Sequence, residues 1–462
     1  MHVGGVRTAL FAWLVARQAD GRFILRIEDT DKAREVEGSE QHIMDCLLWL
    51  GLEWDEGPGK QGEHGPYRQS ERLTIYKDWA QKLVDSGRAY ADSTTPEQLE
   101  EFRNSAKAAK KPFLFREHRP DNPPAWDGSQ PLRFKSDPRP YKWRDEVVGD
   151  LSGGPEAIDD FIILKSDGYP TYNFAHIVDD HLMGITHVIR SQEFLPSVPK
   201  FLNLYEALGV ERPKLATLPY VMGPDGHKKL SKRDGAKDIL DYKKDGYLPA
   251  ALINFLASLG WNDGTAQEIF SLDELTKKFS LERVQKSGAR FDEQRLLWMD
   301  GHYIREMALD QLYELSKDFW PQESVGADEG YKKQVLGLIQ ERLKHLSEIP
   351  DLSLFFFKDM PVDMKLIDEN NQLKDIDKGQ LKGWLGQTIS KLETSDFSTE
   401  DLASKLNELL AETGQKPGVL FSLIRIATTW APASPGLAET LNLFGKDKTL
   451  GRLKTANEAL AV

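Results

Sequence analysis

The sequence predicts a mixed α/β domain with a parallel sheet and an insertion, followed by an all-α region. Three observations support this fold class. Helix and strand patterns alternate over the first 90 residues, prolines interrupt that pattern between residues 91 and 160, and helical patterns alone continue beyond about residue 236. With 462 residues, the chain is long enough for about three domains of roughly 150 residues, each burying its own core.

The first 90 residues supply the first half of the α/β domain. Apolar residues at helical spacing predict an opening helix; they are Val6, Ala9, Leu10, Trp13 and Leu14. After a turn at Asp20-Gly21, the apolar run 23–27 predicts a strand. A second helix, which Gly51 can end with positive φ, is lined by Ile43, Cys46, Leu47 and Leu50. Cys46 is therefore most simply a core residue.

The second half of the domain and the helical region follow the insertion. Residues 161–164 and 186–189 predict strands, and Asp167-Gly168 predicts a turn between them. Beyond residue 236 we expect no strands. Ser271 and Ser398 indicate helix N-caps, because Glu274 and Asp401 follow them three residues later. Helical stripes continue nearly to the end of the chain, at Val335, Leu336, Ile339, Leu343 and Leu346 and at Leu381, Trp384, Leu385 and Ile389.

The composition excludes several classes of protein. No stretch approaches the ~18 uninterrupted apolar residues of a membrane-spanning helix, so we expect no membrane partner. The one cysteine, Cys46, cannot form an intrachain disulfide or a cysteine-based zinc site, which predicts a reducing cytoplasm and no bound metal. The net charge of −13 argues against indiscriminate binding to nucleic acid.

Part of the insertion has the opposite charge. Residues 101–148 contain eleven Lys and Arg against seven Asp and Glu. A solvated surface and a contact with nucleic acid both fit this count.

The chain opens with a turn suited to phosphate. His2-Val3-Gly4-Gly5 lies directly before the first predicted helix. Glycines let a ligand approach the backbone, free N–H groups and the positive end of the helix dipole attract phosphate, and a histidine can donate to a phosphoryl oxygen. The alternative is a chance tetrapeptide in a fraying terminus.

A second phosphate motif follows the second half of the α/β pattern. The loop 223–227 leads into Lys229-Leu230-Ser231-Lys232-Arg233, which carries three cations and a hydroxyl. Such a loop can close over a triphosphate and stabilise the charge that builds on the reacting phosphorus and the departing pyrophosphate. A solvated basic loop is the alternative.

Together the two motifs resemble the two ATP-binding signatures of class I aminoacyl-tRNA synthetases. Flanking segments narrow the resemblance to the bacterial-type glutamyl-tRNA synthetase family; they are 2–11 (HVGGVRTALF), 26–31 (RIEDTD), 169–172 (YPTY), 178–184 (VDDHLMG) and 286–292 (KSGARFD). The resemblance covers residues 1 to about 305, and beyond them only the helical character agrees.

The resemblance implies a Rossmann-like catalytic domain that is divided by an acceptor-stem-binding insertion and followed by an α-helical anticodon-binding region. The implied divisions are 1–90 and 161–235 for the two catalytic halves, 91–160 for the insertion, 236–307 for a helical stem-contact domain and 308–462 for the anticodon-binding region. The positive charge of the insertion then favours contact with the acceptor end of a tRNA.

Site roles follow from the same resemblance. The residues expected to bind ATP are His2, Gly4, Gly5, Lys229, Ser231 and Lys232, of which His2, Lys229 and Lys232 contribute to catalysis. Glu28 is expected to pair with the substrate ammonium, Arg190 with its α-carboxylate, and Tyr172 to line the amino-acid pocket; a carboxylate, a planar guanidinium and a phenol suit these roles. For Glu28 and Arg190 a structural or surface charge is the alternative. Asp179 and Asp180 are expected to be structural.

The sequence departs from the family pattern at several places. His176 stands where asparagine is usual, and either hydrogen-bonds the substrate or is a satisfied core histidine. Phe194 stands where tryptophan is common, and residues 91–94 offer no thiol for the zinc site of some relatives. The family's strand and its Phe-Ala-Pro-Ser-Pro-Thr-Gly segment are not seen before His2, so we expect the sheet to lack a central member.

The resemblance implies ligation of glutamate to the 3′ end of tRNA(Glu) through a glutamyl-adenylate, with Mg²⁺ carried by the ATP phosphates and no zinc. We expect ATP, glutamate and tRNA(Glu) as partners of a monomer. The alternatives are a glutamyltransferase that modifies a tRNA base, which the long region 310–462 disfavours, a glutaminyl enzyme, a non-discriminating enzyme that also charges tRNA(Gln), and an inactive truncated tRNA-binding protein.

Overall fold

A computed structural model describes residues 1–31, 36–231 and 237–460 of the chain. The described residues divide into two compact units, Met1–Asp241 with Leu252–Asp292, and Tyr242–Ala251 with Glu293–Val462. The strands are β1 (Ala89–Ala91), β2 (Leu132–Phe134), β3 (Tyr141–Asp145), β4 (Gly149–Gly153), β5 (Phe161–Leu164), β6 (His187–Ser191), β7 (Lys214–Leu218), β8 (Val221–Met222) and β9 (Ala289–Arg290).

Helices dominate the second unit and surround the strands of the first. In chain order they are α1 (Val3–Gln18), α2 (Ser39–Trp49), α3 (Leu73–Asp85), α4 (Pro96–Ala108), α5 (Tyr172–Leu182), α6 (Val198–Leu208), α7 (Ile239–Lys244), α8 (Pro249–Ser258), α9 (Leu272–Lys278), α10 (Glu293–Glu306), α11 (Leu309–Ser316), α12 (Glu329–Ile339), α13 (Ile349–Phe357), α14 (Lys365–Asp368), α15 (Lys378–Glu393), α16 (Thr399–Thr413), α17 (Pro417–Thr429), α18 (Leu437–Phe444) and α19 (Lys446–Ala459). No helix in the described ranges is long and apolar enough to cross a membrane.

The sheets of the first unit mix parallel and antiparallel pairs. β6 and β7 pair in parallel over their full length, and β3 joins the other side of β7 in parallel and β4 in antiparallel. A second sheet has the antiparallel order β1-β2-β5. β8 pairs in parallel with β9. The expectation of no strand beyond residue 236 is therefore wrong at β9, because its partner is distant in sequence and the local pattern gives no sign of it.

Residues 23–27 do not form the predicted strand. Ile24 and Ile27 make isolated parallel bridges to Glu56 and Arg68, so the backbone is extended but the ladder is too short for a strand. Among the described residues no backbone pairing joins this run to β6. A cavity of about 400 Å³ is lined by residues of both.

Most local predictions are confirmed. β5 has the predicted bounds, and Gly51 follows α2 with a φ of 73°. Ser271 forms a reciprocal capping box at the start of α9, and Ser398 caps α16 by accepting from the backbone of Asp401. In the proline-rich region, α4 is longer than expected because its Pro96 lies in the first turn, where proline is tolerated, behind a Thr95 capping box.

Apolar cores stabilise both units. In the first unit, α5 buries Phe174 and Ile177 against α3, β2 and β5, and this packing fixes the helix that begins at Tyr172. In the second unit, a large core unites α13 with α15 to α19, and its apolar stripes include Leu381 and Leu385, as predicted.

Candidate functional site

One cavity of about 310 Å³ in the first unit receives both predicted phosphate motifs. Its lining comes from the start of α1, from α5, from β6 with the turn that follows it, and from the segments around β8. The residues that line it include His2, Gly4, Gly5, Arg7, Tyr172, Arg190, Glu193, Phe194, Tyr220 and Lys229. The two motifs, more than two hundred positions apart in the sequence, therefore face the same space.

The start of α1 is built around His2. His2 is the N-cap, and its Nδ1 accepts a hydrogen bond from the Gly4 backbone N–H at 3.1 Å. With Nδ1 as the acceptor, the neutral ring carries its proton on Nε2, which makes Nε2 a donor. A Cβ on Gly4 would lie only 3.1 Å from His2 Cε1. A glycine at position 4 thus permits the close packing of the cap.

Lys229 brings a positive charge to the same cavity. Its Nζ lies 2.9 Å from Glu193 Oε2 and 4.5 Å from the centre of the Tyr220 ring. Its side chain is half exposed, so the ammonium can exchange Glu193 for an anionic ligand. Ser231 is described but is not among the lining residues, and the prediction for Lys232 lies outside the described residues.

Arg7 is a site residue that the sequence analysis missed. It lies in α1 and is almost fully buried, and its guanidinium donates to the carbonyls of Leu259 and Pro219, the former at 2.9 Å. Burial lowers its pKa to about 10. The buried charge ties α1 to the backbone just before Tyr220, and so fixes one wall of the cavity. The signal in the sequence is a cation within the apolar stripe of the first helix.

Tyr172, Arg190 and Phe194 form the opposite wall. The guanidinium carbon of Arg190 lies 5.5 Å from the centre of the Tyr172 ring and 5.4 Å from that of Phe194. Burial raises the pKa of Tyr172 to about 12, although Arg190 opposes the shift. The phenol is therefore neutral near pH 7 and can donate a hydrogen bond.

A buried polar group supports this wall from behind. His176 is 2% exposed and does not line the cavity; its Nδ1 lies 3.4 Å from Asp180 Oδ2, and Arg26 donates to Asp180 Oδ1 at 2.9 Å. Burial opposes ionisation of Asp180, but His176 and Arg26 outweigh it and hold the pKa at about 2. Burial, with a contribution from Arg190, lowers the pKa of His176 to about 4, so the imidazole is neutral.

The environment of His176 fits a core histidine better than a cavity residue. Its ring packs against those of Tyr172 and Phe201, with centroids 5.0 and 4.8 Å away. The ring is not fully satisfied, however, because its Nε2 is buried without a hydrogen-bond partner in the described part of the chain.

Glu28 and Asp179 are not among the described residues that line the cavity. Glu28 is one third exposed, and its Oε1 accepts a hydrogen bond from Arg26 at 3.2 Å. Asp179 is fully buried and accepts from Gln69, Arg72 and Tyr76. The structural role predicted for Asp179 agrees with these contacts, which join α5 to the start of α3.

An α/β domain with a capped helix start and a lysine loop on one cavity is typical of a class of nucleotide-activating enzymes. Residues 1–298 match the family model described as "tRNA synthetases class I (E and Q), catalytic domain", and residues 311–457 match the one described as "Anticodon binding domain". The chain belongs to the class I tRNA synthetase family of the E and Q type.

Similar proteins narrow this class. A glutamate–tRNA ligase of Dehalococcoides mccartyi is 40% identical over 98% of this chain and 94% of its own length, and one of Moorella thermoacetica is 38% identical over 99% and 95%. A crystal structure of a glutamate tRNA ligase from Elizabethkingia meningosepticum in complex with its amino acid has a TM-score of 0.90, at 33% identity over 100% of this chain and 97% of that one. The resemblance to bacterial glutamyl-tRNA synthetases and the predicted fold class are confirmed.

Proposed function

We propose that this chain ligates glutamate to the 3′ end of tRNA(Glu), using ATP and a glutamyl-adenylate intermediate. The observation that carries the proposal is the cavity that receives His2 and Lys229 together with Tyr172 and Arg190. Relatives with this activity match nearly the whole chain. An inactive tRNA-binding protein is therefore not favoured.

In the first step, the α-carboxylate of glutamate attacks the α-phosphorus of ATP and pyrophosphate leaves. The start of α1 offers its positive dipole end to the phosphates, next to the His2 Nε2 donor. Lys229 exchanges Glu193 for the departing pyrophosphate and stabilises its charge. In the second step, a hydroxyl of the terminal adenosine of tRNA attacks the mixed anhydride, and AMP leaves. Alignment and electrostatics suffice, because no protein nucleophile is needed.

The amino acid is recognised on the wall that Tyr172 and Arg190 form. Arg190 presents its planar guanidinium to the α-carboxylate, and Tyr172 supplies an apolar face and a neutral hydroxyl. Glu28 pairs with the substrate ammonium after exchanging Arg26 for it. Ser231 and Lys232 contribute to ATP binding from the loop, and His176 acts on the substrate through Tyr172, against which it packs.

Magnesium fits this site as part of the ATP complex. Among the described lining residues Glu193 is the sole carboxylate, and it is already paired with Lys229. Mg²⁺ prefers to keep several waters and to be held by substrate phosphates. The bound ion neutralises phosphate charge, while the protein residues orient the two substrates.

The segments outside the catalytic domain are assigned to contacts with tRNA. The insertion 91–160 and residues 236–307 contact the acceptor stem, and residues 308–462 contact the anticodon arm. Residues 1–90 and 161–235 form the catalytic domain. The enzyme acts as a monomer in the cytoplasm, where its single cysteine stays reduced.

Glutamate-dependent exchange of pyrophosphate into ATP, measured with and without tRNA, tests the proposal. We expect exchange that requires glutamate, and we expect Lys229→Ala to slow it by about 100-fold or more, the usual effect of removing one group that stabilises transition-state charge. The affinity for tRNA should not change. Lys228→Ala is the matched control, since the neighbouring lysine is not among the described lining residues. Absence of exchange under both conditions would refute the proposed activity.

A further inference from the structure

Three side chains of different chemistry meet outside the cavity, within the first unit. His42 and Cys46 lie on α2, and Asp238 directly precedes α7. One donor atom of each lies within 4.8 Å of the other two. None of the three has a role in the proposed reaction.

The spacing of the donor atoms is close to that of a metal site. His42 and Cys46 are four residues apart, which puts both on one face of the helix, and Sγ lies 3.7 Å from His42 Nε2. His42 Nε2 lies 2.9 Å from Asp238 Oδ2. In tetrahedral zinc sites with bonds of ~2.0–2.3 Å, donor atoms are about 3.3–3.8 Å apart. The Cys46–His42 distance already falls in this range, and the other two pairs, which lie within 4.8 Å, would have to adjust to fit the ion.

The three donor atoms approach one position. The Met1 nitrogen donates to Asp238 Oδ2 at 2.7 Å and lies 2.8 Å from His42 Nε2 and 3.7 Å from Cys46 Sγ. All three donor atoms therefore lie close to one position.

Solvent can reach the group from one side. The His42 and Asp238 side chains are 39% and 33% exposed, whereas Cys46 is fully buried. Burial raises the pKa of the Cys46 thiol, so it is protonated without a metal. An ion can enter past the exposed ligands and meet the sulfur in a drier environment.

We propose that His42, Cys46 and Asp238 bind a divalent transition metal, with zinc the best fit. Imidazole, thiolate and carboxylate together favour Zn²⁺ and Co²⁺ over Mg²⁺, which prefers oxygen ligands alone. Binding forms a metal–sulfur bond, breaks the S–H bond of Cys46 and releases that proton to solvent, with no change of oxidation state. A water would complete the coordination.

The ion would connect α2 to the residues that cap α1. The backbone of Asp238 forms an antiparallel bridge with His2, and Ile239 N–H donates to Met1 O at 2.9 Å. Anchoring Asp238 to α2 thus also restrains the segment that carries His2. The role of the site is structural, at the edge of the cavity.

Cobalt titration of the full chain tests the site. Because Cys46 is the one cysteine of the chain, a thiolate-to-cobalt charge-transfer band can come from no other residue. We expect the band to saturate at one equivalent of Co²⁺, to disappear when Zn²⁺ is added, and to be lost in Cys46→Ser. His42→Gln and Asp238→Asn should weaken cobalt binding at least tenfold, and His187→Gln, on β6, should not.

A band that does not form, or one that persists unchanged in His42→Gln and Asp238→Asn, would overturn the proposal. A second measurement avoids substitutions altogether. The melting temperature of the unmodified chain, followed by circular dichroism, should rise with Zn²⁺ and not with Mg²⁺, because an ion that binds the folded chain alone stabilises it. Equal melting temperatures in the two ions would contradict a zinc site.

Discussion

Arg190 shows how one side chain is kept ready for a ligand. Its guanidinium is 19% exposed and lies against the rings of Tyr172 and Phe194. Asp180 Oδ2 lies 3.9 Å from the guanidinium, which is too long for a hydrogen bond. Asp180 instead binds Arg26 at 2.9 Å. The planar N–H groups of Arg190 can therefore bind a substrate carboxylate.

We expect Arg190→Lys to raise the KM for glutamate by about 10- to 100-fold, since an ammonium keeps the charge but loses the two parallel hydrogen bonds. Pyrophosphate exchange at varied glutamate concentrations measures this value. Arg144→Lys, which replaces an exposed arginine of β3, is the control and should leave the KM unchanged. An unchanged KM in Arg190→Lys as well would remove Arg190 from the amino-acid site.

At the scale of elements, α10 carries a buried carboxyl group that stabilises a helix junction. Asp300 is fully buried; its Oδ1 accepts from the Leu248 backbone N–H at 2.8 Å, and its Oδ2 has no partner in the described part of the chain. Burial raises its pKa to about 8, with a smaller contribution from Glu348, against the Leu248 hydrogen bond. The folded helix thus holds this carboxyl protonated at neutral pH.

The raised pKa of Asp300 predicts how the stability of the second unit depends on pH. The folded pKa of about 8 lies above the unfolded value of ~3.9, so the folded state binds the proton more tightly. The contribution of protonated Asp300 to the free energy of unfolding is fully present below about pH 4. It is lost as the pH rises through 8, at up to ~1.4 kcal/mol per pH unit. Asp300→Asn should remove this slope.

Urea unfolding of the full chain at pH 5, 6 and 7 measures the slope of the free energy of unfolding against pH. Asp310→Asn, at an exposed position of α11, is the control and should keep the slope of the unmodified chain. If Asp300→Asn keeps it too, the carboxyl is ionised in the folded state.

At the scale of the whole molecule, charge is unevenly distributed. The chain has a net charge of −13, yet residues 101–148 carry more positive than negative side chains. Lys107, Lys110 and Lys111 are exposed at the end of α4 and just beyond it. A polyanion such as tRNA is therefore attracted locally and repelled by the average charge, which favours one orientation of binding.

Replacing these three lysines by glutamine should weaken tRNA binding. It should also make the slope of log affinity against log salt concentration shallower by about two to three, because each phosphate contact releases about 0.7–0.9 counterions. Filter binding at several salt concentrations measures both effects. The control replaces Lys60, Lys77 and Lys82, which lie outside the insertion, with the same change of net charge. Equal losses in the two triple variants would show that net charge alone acts.

The sequence by itself determined the features that depend on near neighbours. β5, the end of α2 at Gly51 and the caps at Ser271 and Ser398 follow from residues within a few positions of each other, because hydrogen bonds within a turn or a cap need no distant partner. The paired motifs at 2–5 and 229–233, together with the resemblance, also predicted that the two stretches face the same nucleotide.

Tertiary structure alone decided which distant groups meet. The run 23–27 was predicted to be a strand but has no strand ladder, whereas β9 was not predicted and pairs with β8. Both outcomes depend on a backbone that is distant in the sequence. His176 lies behind the cavity wall and Arg7 lies on it, which periodicity could not distinguish. The single Cys46 predicted no cysteine-based zinc site, and only the fold shows that Asp238 comes within hydrogen-bond reach of His42, the helical neighbour of Cys46. Burial, charge and ligand geometry are set by contacts between segments, and these exist only once the chain has folded.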